Sequence, residues 1–386
     1  MAELTKKKTE GKKPPRRRFR TFLIFFLTLV VVLGVVVVAA YRDGTGFDAL
    51  RRFLSYGNTE SDSSGFTYDA SASNRFAVLG ERLAVLSDTQ LQVLSGGKDT
   101  YSKSVKMNQP ALASGGGSAV AWDVGGTELH VVNSDGEQLS LTAEENEPFI
   151  SATLNSAGWL AVTAQKANYK GVVSVYNDKM QLVFTFNSSQ RFVTDAYVTD
   201  DCKYLAAVTL GQEDSVFVSN IVLYNLTDTK PVANYDVKDG LALTIGEVDS
   251  EIATVCDTNL TFGTVSGKAA ATYDYSGEYL REYDLSGDGY AVLMLNRYKS
   301  GSMGRLVTVG SDGKEIASLD VNDEVLSVSA SGRYIAVLYA DRCVIYTQQL
   351  KEYATRTGTD YAKSVLMRSD GTALLIASGQ ATLFLP

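Results

Sequence analysis

Histidine, cysteine and tryptophan are scarce in this chain, and each shortage closes off a class of chemistry. His130 is the only histidine in 386 residues, which removes almost every histidine-based metal site and catalytic triad. The three cysteines, Cys202, Cys256 and Cys343, are odd in number, widely separated and never form a CxxC pair. Neither a disulfide framework nor a cysteine-rich metal site fits that spacing. Each lies in or beside an apolar run, so small buried thiols are expected. Two tryptophans, Trp122 and Trp159, leave little stacking surface for a quinone-type cofactor. Calcium loops of the DxDxDG type, GxSxG elbows and P-loops are also missing. Glycine pairs such as Gly96-Gly97 and Gly125-Gly126 lie between apolar runs with no helix after them, as turn glycines do. Adjacent Asp200 and Asp201 read as turn caps rather than a catalytic carboxylate pair. No metal and no cofactor is expected.

Charge is present but divided. The net charge is −8, yet residues 1–20 hold nine Lys/Arg against two Asp/Glu, leaving 27 basic and 42 acidic residues in the remainder. An acidic body has no positive cluster for phosphates, so nucleic acid is not an expected partner.

The longest apolar run is Phe22 to Ala40, broken only by Thr28 and Gly34. As a helix rising about 1.5 Å per residue it matches the hydrocarbon core of a bilayer, about 30 Å thick. Arg16, Arg17, Arg18 and Arg20 close a basic run just upstream, while only Arg42, Arg51 and Arg52 follow soon after. The positive-inside rule then puts residues 1–20 in the cytoplasm as a basic tail and makes 21–40 a single transmembrane signal anchor in the plasma membrane. Val38-Ala39-Ala40 could pass as a cleavage site, but signal-peptide apolar cores run about 7–15 residues and this one is longer. Residues 41–65 read as a juxtamembrane segment and linker. Phe47, Leu50 and Leu54 there have helical spacing, suiting either a surface helix or an extension of the span, and Asn58 to Gly65 is small and polar, as a tether is.

From residue 66 the pattern changes. Short runs of Val, Ile, Leu, Ala and Tyr are punctuated by Gly, Asp, Ser and Asn, the mark of antiparallel strands joined by tight turns. A Gly or Asp feeding a small apolar strand recurs eight times, at Gly80, Gly117, Gly158, Asp201, Asp249, Asp288, Gly332 and Gly371, at spacings of 37 to 48 residues. Further strands follow each anchor, and four strands per repeat of about 40 residues is the arithmetic of a β-propeller blade. One such unit cannot bury its own faces, so the units must pack side by side around an axis. The last unit is a strand short, and Phe66–Ser71 stands before the first as an orphan strand. Placed as the outer strand of the last blade, it would close the ring and leave no open edge. Residues 66–386 are therefore expected to form an all-β, eight-bladed β-propeller closed by an N-terminal strand. Seven blades stay open, because the fifth and sixth anchors are the least regular. The WD dipeptide of WD40 repeats occurs only at Trp122-Asp123.

The basic tail with one span, the segment ALRRFLSYG, the run NRFAVLGERLAVLSDTQLQVL, the segment AWDVGGTELHVV and the stretch EYLREYDLSGDGYAVLMLNRYKSGSMGRLVTV together resemble a family of membrane-anchored propeller proteins of Firmicutes such as clostridia, with WD40/YVTN-like repeats. The resemblance implies fold and location; it carries no activity and no catalytic residue.

With no catalytic set in view, function should lie in loops on a rigid scaffold. Three blades have long connections between their second and third strands: Gln165–Gly171, Gly211–Ser215 and Asn296–Met303. Such loops project to one end of a propeller, so Tyr169, Lys170, Arg297, Tyr298 and Lys299 are expected to place aromatic and cationic groups on one rim, residue types favoured as interface anchors. The reading is an extracytoplasmic, non-enzymatic binding or scaffolding module whose partner is an envelope protein or polysaccharide, with residues 21–40 in lipid. The alternative is an enzyme acting on a small molecule or wall polysaccharide in the central channel; it requires carboxylates gathered from the innermost strands.

Overall fold

The computed structural model describes residues 16–42, isolated positions between 48 and 56, and 65–386. Residues 1–15, most of the expected juxtamembrane segment, including Phe47 and Leu50, and most of the tether lie outside the described residues. The chain divides into two compact units, Met1–Asn58 and Thr59–Pro386.

In the first unit a helix, α1, runs Arg16–Arg42, coinciding in position with the expected span. Side chains are described for residues 22–36, and all are exposed. Among the described residues no helix is long and apolar enough to cross a membrane; a span needs about 20 residues.

The second unit is built of eight four-stranded antiparallel sheets. Seven are continuous in sequence, beginning with the blade Arg75–Ser104, and run first strand to fourth strand as meanders. The eighth takes Ser364–Met367, Ala373–Ile376 and Gln380–Phe384 and completes itself with Phe66–Thr67 as its outermost strand. The count is therefore eight, not seven, and the orphan strand takes the expected place, shortened from Phe66–Ser71 to two residues. Tyr68 extends the clasp. Its hydroxyl lies 2.7 Å from Ala377 O and 2.8 Å from Gln380 O in blade 8, and its ring is 5.0 Å from Phe76 in blade 1.

All eight anchors fall in the turn between first and second strands. Five are glycines with φ between 58° and 86°; Asp249 adopts φ 50° itself, and Asp201 and Asp288 precede Cys202 (φ 58°) and Gly289 (φ 78°). The turn requires one left-handed residue, which glycine adopts freely and Asp or Asn tolerates better than most. Second strands are apolar because neighbouring blades cover both their faces: Ser118–Asp123, Tyr290–Asn296 and Tyr334–Tyr339 are buried at every position. Fourth strands such as Lys98–Ser104 alternate with solvent. The core is a series of layers between blades. Val120 and Leu129 of blade 2 pack with Leu154 and Leu160 of blade 3, and Val292 and Leu306 of blade 6 with Ile335 and Val337 of blade 7.

Cys256 and Cys343 are buried free thiols, as expected, and burial pushes both up to about 12. Cys202 departs from expectation: it is half-buried, because it occupies the left-handed turn position before its strand rather than the strand itself.

Candidate functional site

The first strand of each blade is innermost, and in blades 3 to 8 polar side chains on these strands reach the first strand, or the turn after it, of a neighbouring blade. Asp195 in blade 4 (first strand Phe192–Val198) accepts from Ser151 Oγ of blade 3 at 2.5 Å, from Thr244 Oγ1 and Ile245 N of blade 5 at 2.9 and 3.1 Å, and from its neighbour Ala196 N at 2.9 Å. Glu282 and Asp284 in blade 6 accept Val328 N at 2.7 Å and Ala330 N at 2.8 Å of blade 7. Glu247 of blade 5 accepts Asp200 N of blade 4 at 2.8 Å. Ser329 of blade 7 accepts Met367 N of blade 8 at 3.0 Å. Burial pushes the Asp195, Glu247, Glu282 and Asp284 carboxyls above the ordinary range, against the pull of these donors. The innermost strands thus do gather carboxylates, and each bonds blade to blade. Among the described residues no group of three His, Cys, Asp or Glu is placed to hold a metal ion. His130 lies in the blade 1–blade 2 interface, its Nδ1 2.9 Å from Glu137 and 3.3 Å from Lys103 Nζ.

The face carrying the second-to-third-strand connections is different. Strand registers put the starts of the first strands at this same end: Phe192 opposes Leu210, and Tyr279 opposes Asn296. In blade 3 the loop after Leu160–Ala164 is held by Glu147, which accepts Ala167 N at 3.0 Å and pairs with Lys166 at 3.1 Å; the Ala167 amide bond leads in holding its carboxyl below the usual range. Tyr169 is exposed on this loop, and Lys170 Nζ sits 4.7 Å from the centre of the Phe192 ring in blade 4, a cation–π contact. In blade 6 Arg297 pairs with Asp320 at 2.7 Å, and Tyr298 and Lys299 project into solvent. All five expected rim residues therefore lie on one face but in two groups, Tyr169 with Lys170 and Arg297 with Tyr298 and Lys299, three blades apart.

The expected loop Gly211–Ser215 is not a loop. Strands Tyr204–Glu213 and Val216–Asn225 pair to their tip, and Asp214 and Ser215 (φ 47° and 70°) form the two-residue turn that suits strand twist. Arg191 braces the hairpin, pairing with Glu213 at 2.8 Å and donating to Val218 O. It lies so close to Gly211 that a Cβ there would meet its Cζ at 2.7 Å. At the tip Val216 and Phe217 are 62% and 61% exposed. With Phe192 (55%), Leu243 (54%) and Tyr279 at the starts of three successive first strands, they fill the interval between the two groups with apolar surface. Period-two reading of FVTDAYV and YLREYDLSG would have marked Phe192 and Tyr279 as channel-end residues; nothing local marks Phe217.

A cavity of about 360 Å³ opens on this face between blades 6 and 7. Arg281 and Met294 line it with Asn296, Ser302 and Glu324.

Eight four-stranded sheets around an axis, the last of them latched by a strand from the opposite end of the sequence, define a closed β-propeller. The chain belongs to DUF5711, a family of unknown function whose pattern matches residues 54–382. Among solved structures, the C-terminal WD40 domain of Sif2 is similar over 84% of this chain and 98% of that one, at 14% identity and a TM-score of 0.59. BamB from Moraxella catarrhalis is similar over 83% and 98%, at 12% identity and a TM-score of 0.54. These likenesses establish the fold. Among curated proteins, none matches the chain in sequence.

Proposed function

We propose that this protein is a membrane-anchored, extracytoplasmic binding platform, non-enzymatic, whose partner is an envelope protein docking on the face of the second-to-third-strand connections. The observation that carries the reading is the apolar and aromatic arc from Tyr169 through Phe192, Phe217, Leu243 and Tyr279 to Tyr298, all exposed, with cations at both ends. Exposed aromatics rimmed by Lys and Arg are the composition of interface anchors. The inner carboxylates support the same reading: each already accepts at least one backbone amide. Anchoring rests on the apolar run 21–40, and orientation on Arg16, Arg17, Arg18 and Arg20.

A photo-crosslinking residue at Tyr298 or Phe217 of the full chain in its native cells should give one discrete protein adduct, while the same residue at Asp312, in a third-to-fourth-strand turn on the opposite face, gives none. Equal labelling from both faces, or none from either, overturns the docking reading. Deleting residues 21–40 should release the chain from the membrane fraction; retention there overturns the anchor.

A further inference from the structure

The cavity between blades 6 and 7 has a chemistry of its own. Arg281 is exposed on the innermost strand of blade 6, and its guanidinium makes one long bond, Nη2 to Val325 O at 3.4 Å, leaving most of its donors without a partner among the described residues. Glu324, on the connection into blade 7, is exposed and forms no ion pair among the described residues. Asn296 is 6% exposed. Its Nδ2 donates to Gly301 O at 3.1 Å, which fixes the amide orientation, because a carbonyl accepts only from the nitrogen side. Its Oδ1 is then a buried acceptor with no partner, and such an atom costs stability unless a donor reaches it. Met294, 1% exposed, supplies an apolar wall, and Ser302 a hydroxyl at the edge.

A cation, an anion and an unfilled acceptor around one small pocket with an apolar wall complement a molecule with an anionic end, an ammonium end and an aliphatic body. We propose that this cavity binds a free α-amino acid with an apolar side chain: Arg281 takes the carboxylate, Glu324 and Asn296 Oδ1 take the ammonium, and Met294 takes the side chain. Its volume of about 360 Å³ falls at the small end of ligand pockets, about 300–1,000 Å³. The site shares the Asn296–Met303 connection with the rim yet stands independently of protein docking.

Calorimetric titration of the full-length chain in mild detergent with L-leucine, isocaproate and isoamylamine tests each end of the ligand. Leucine should bind, and each analogue, lacking one charged end, should bind about tenfold or more weakly, the value of one charge-assisted hydrogen bond. Arg281→Gln should erase the advantage of leucine over isoamylamine, and Glu324→Gln should narrow its advantage over isocaproate, Asn296 Oδ1 still accepting the ammonium. Both side chains are exposed, so circular dichroism should show an unaltered fold. No binding of leucine at millimolar concentration, equal binding of all three compounds, or indifference to both substitutions overturns the proposal.

Discussion

Asp195 shows how a single carboxylate can hold three blades. It accepts two hydroxyls and two amides, so truncating it leaves several donors buried without a partner. Asp195→Ala is expected to lower unfolding free energy by about 2–4 kcal/mol, read as a shifted urea midpoint of the full chain. The inner carboxylates also set a pH signature. Asp195, Glu247, Glu282 and Asp284 are raised in the folded state, so the fold binds more protons than the unfolded chain between the ordinary carboxylate value, about 4, and the raised ones. Stability is then fully present below that ordinary value and falls as pH rises through the raised values. Glu137, Asp201 and Glu315 are lowered. Their contribution is present above the ordinary value and lost as pH falls through the lowered values. Stability should thus peak near the ordinary carboxylate pKa rather than at neutrality, and Asp195→Ala should flatten the descent on the alkaline side. Urea midpoints across that range check both.

At the scale of the turn and the strand, most of the architecture was legible because it is enforced locally. The anchors could be read because a left-handed residue between first and second strands leaves few choices, and the apolar run after each is buried on both faces. Blades 5 and 6 looked irregular for the same reason: Asp249 occupies the turn itself, while Gly289 sits one place after its anchor. What stayed hidden depends on neighbours one blade away. The bond from Ser151 to Asp195 joins residues 44 apart and that from Thr244 to Asp195 residues 49 apart, separations that local pattern does not reach. The composition of Gly211–Ser215 suits a loop and a tight hairpin alike, because Gly, Asp and Ser also make the tightest hairpin turn. Gly116 shows the same limit. Beyond its φ of 56°, a Cβ there would come within 2.2 Å of the Gly158 amide nitrogen in the next blade, so backbone meets backbone between adjacent turns. Gly116→Ala should cost at least about 2 kcal/mol, whereas Gly125→Ala, with the same left-handed φ (76°) and open space around it, should cost less. Thermal melts of the two variants give the comparison.

For the molecule as a whole, closure is the property on which the blades depend. Removing residues 1–70 would leave Gln380–Phe384 as an unpaired edge, and exposed edges recruit other chains. Such a truncation should melt lower and associate with rising concentration in light scattering; a monomer with unchanged melting temperature would show the latch to be dispensable. The rim residues Tyr169 and Tyr298 belong to this scale too, since only the ring brings blades 3 and 6 to one face.

The latch is also where the leading segment of the chain enters the ring. Any tension transmitted along residues before 65 arrives first at Phe66 and Thr67, two backbone pairings and the tyrosine after them. The clasp is thus placed to act as a mechanical fuse: a tug on the leading segment is expected to unfasten the circle at its seam, at two backbone pairings, while the seven continuous blades keep their internal pairing.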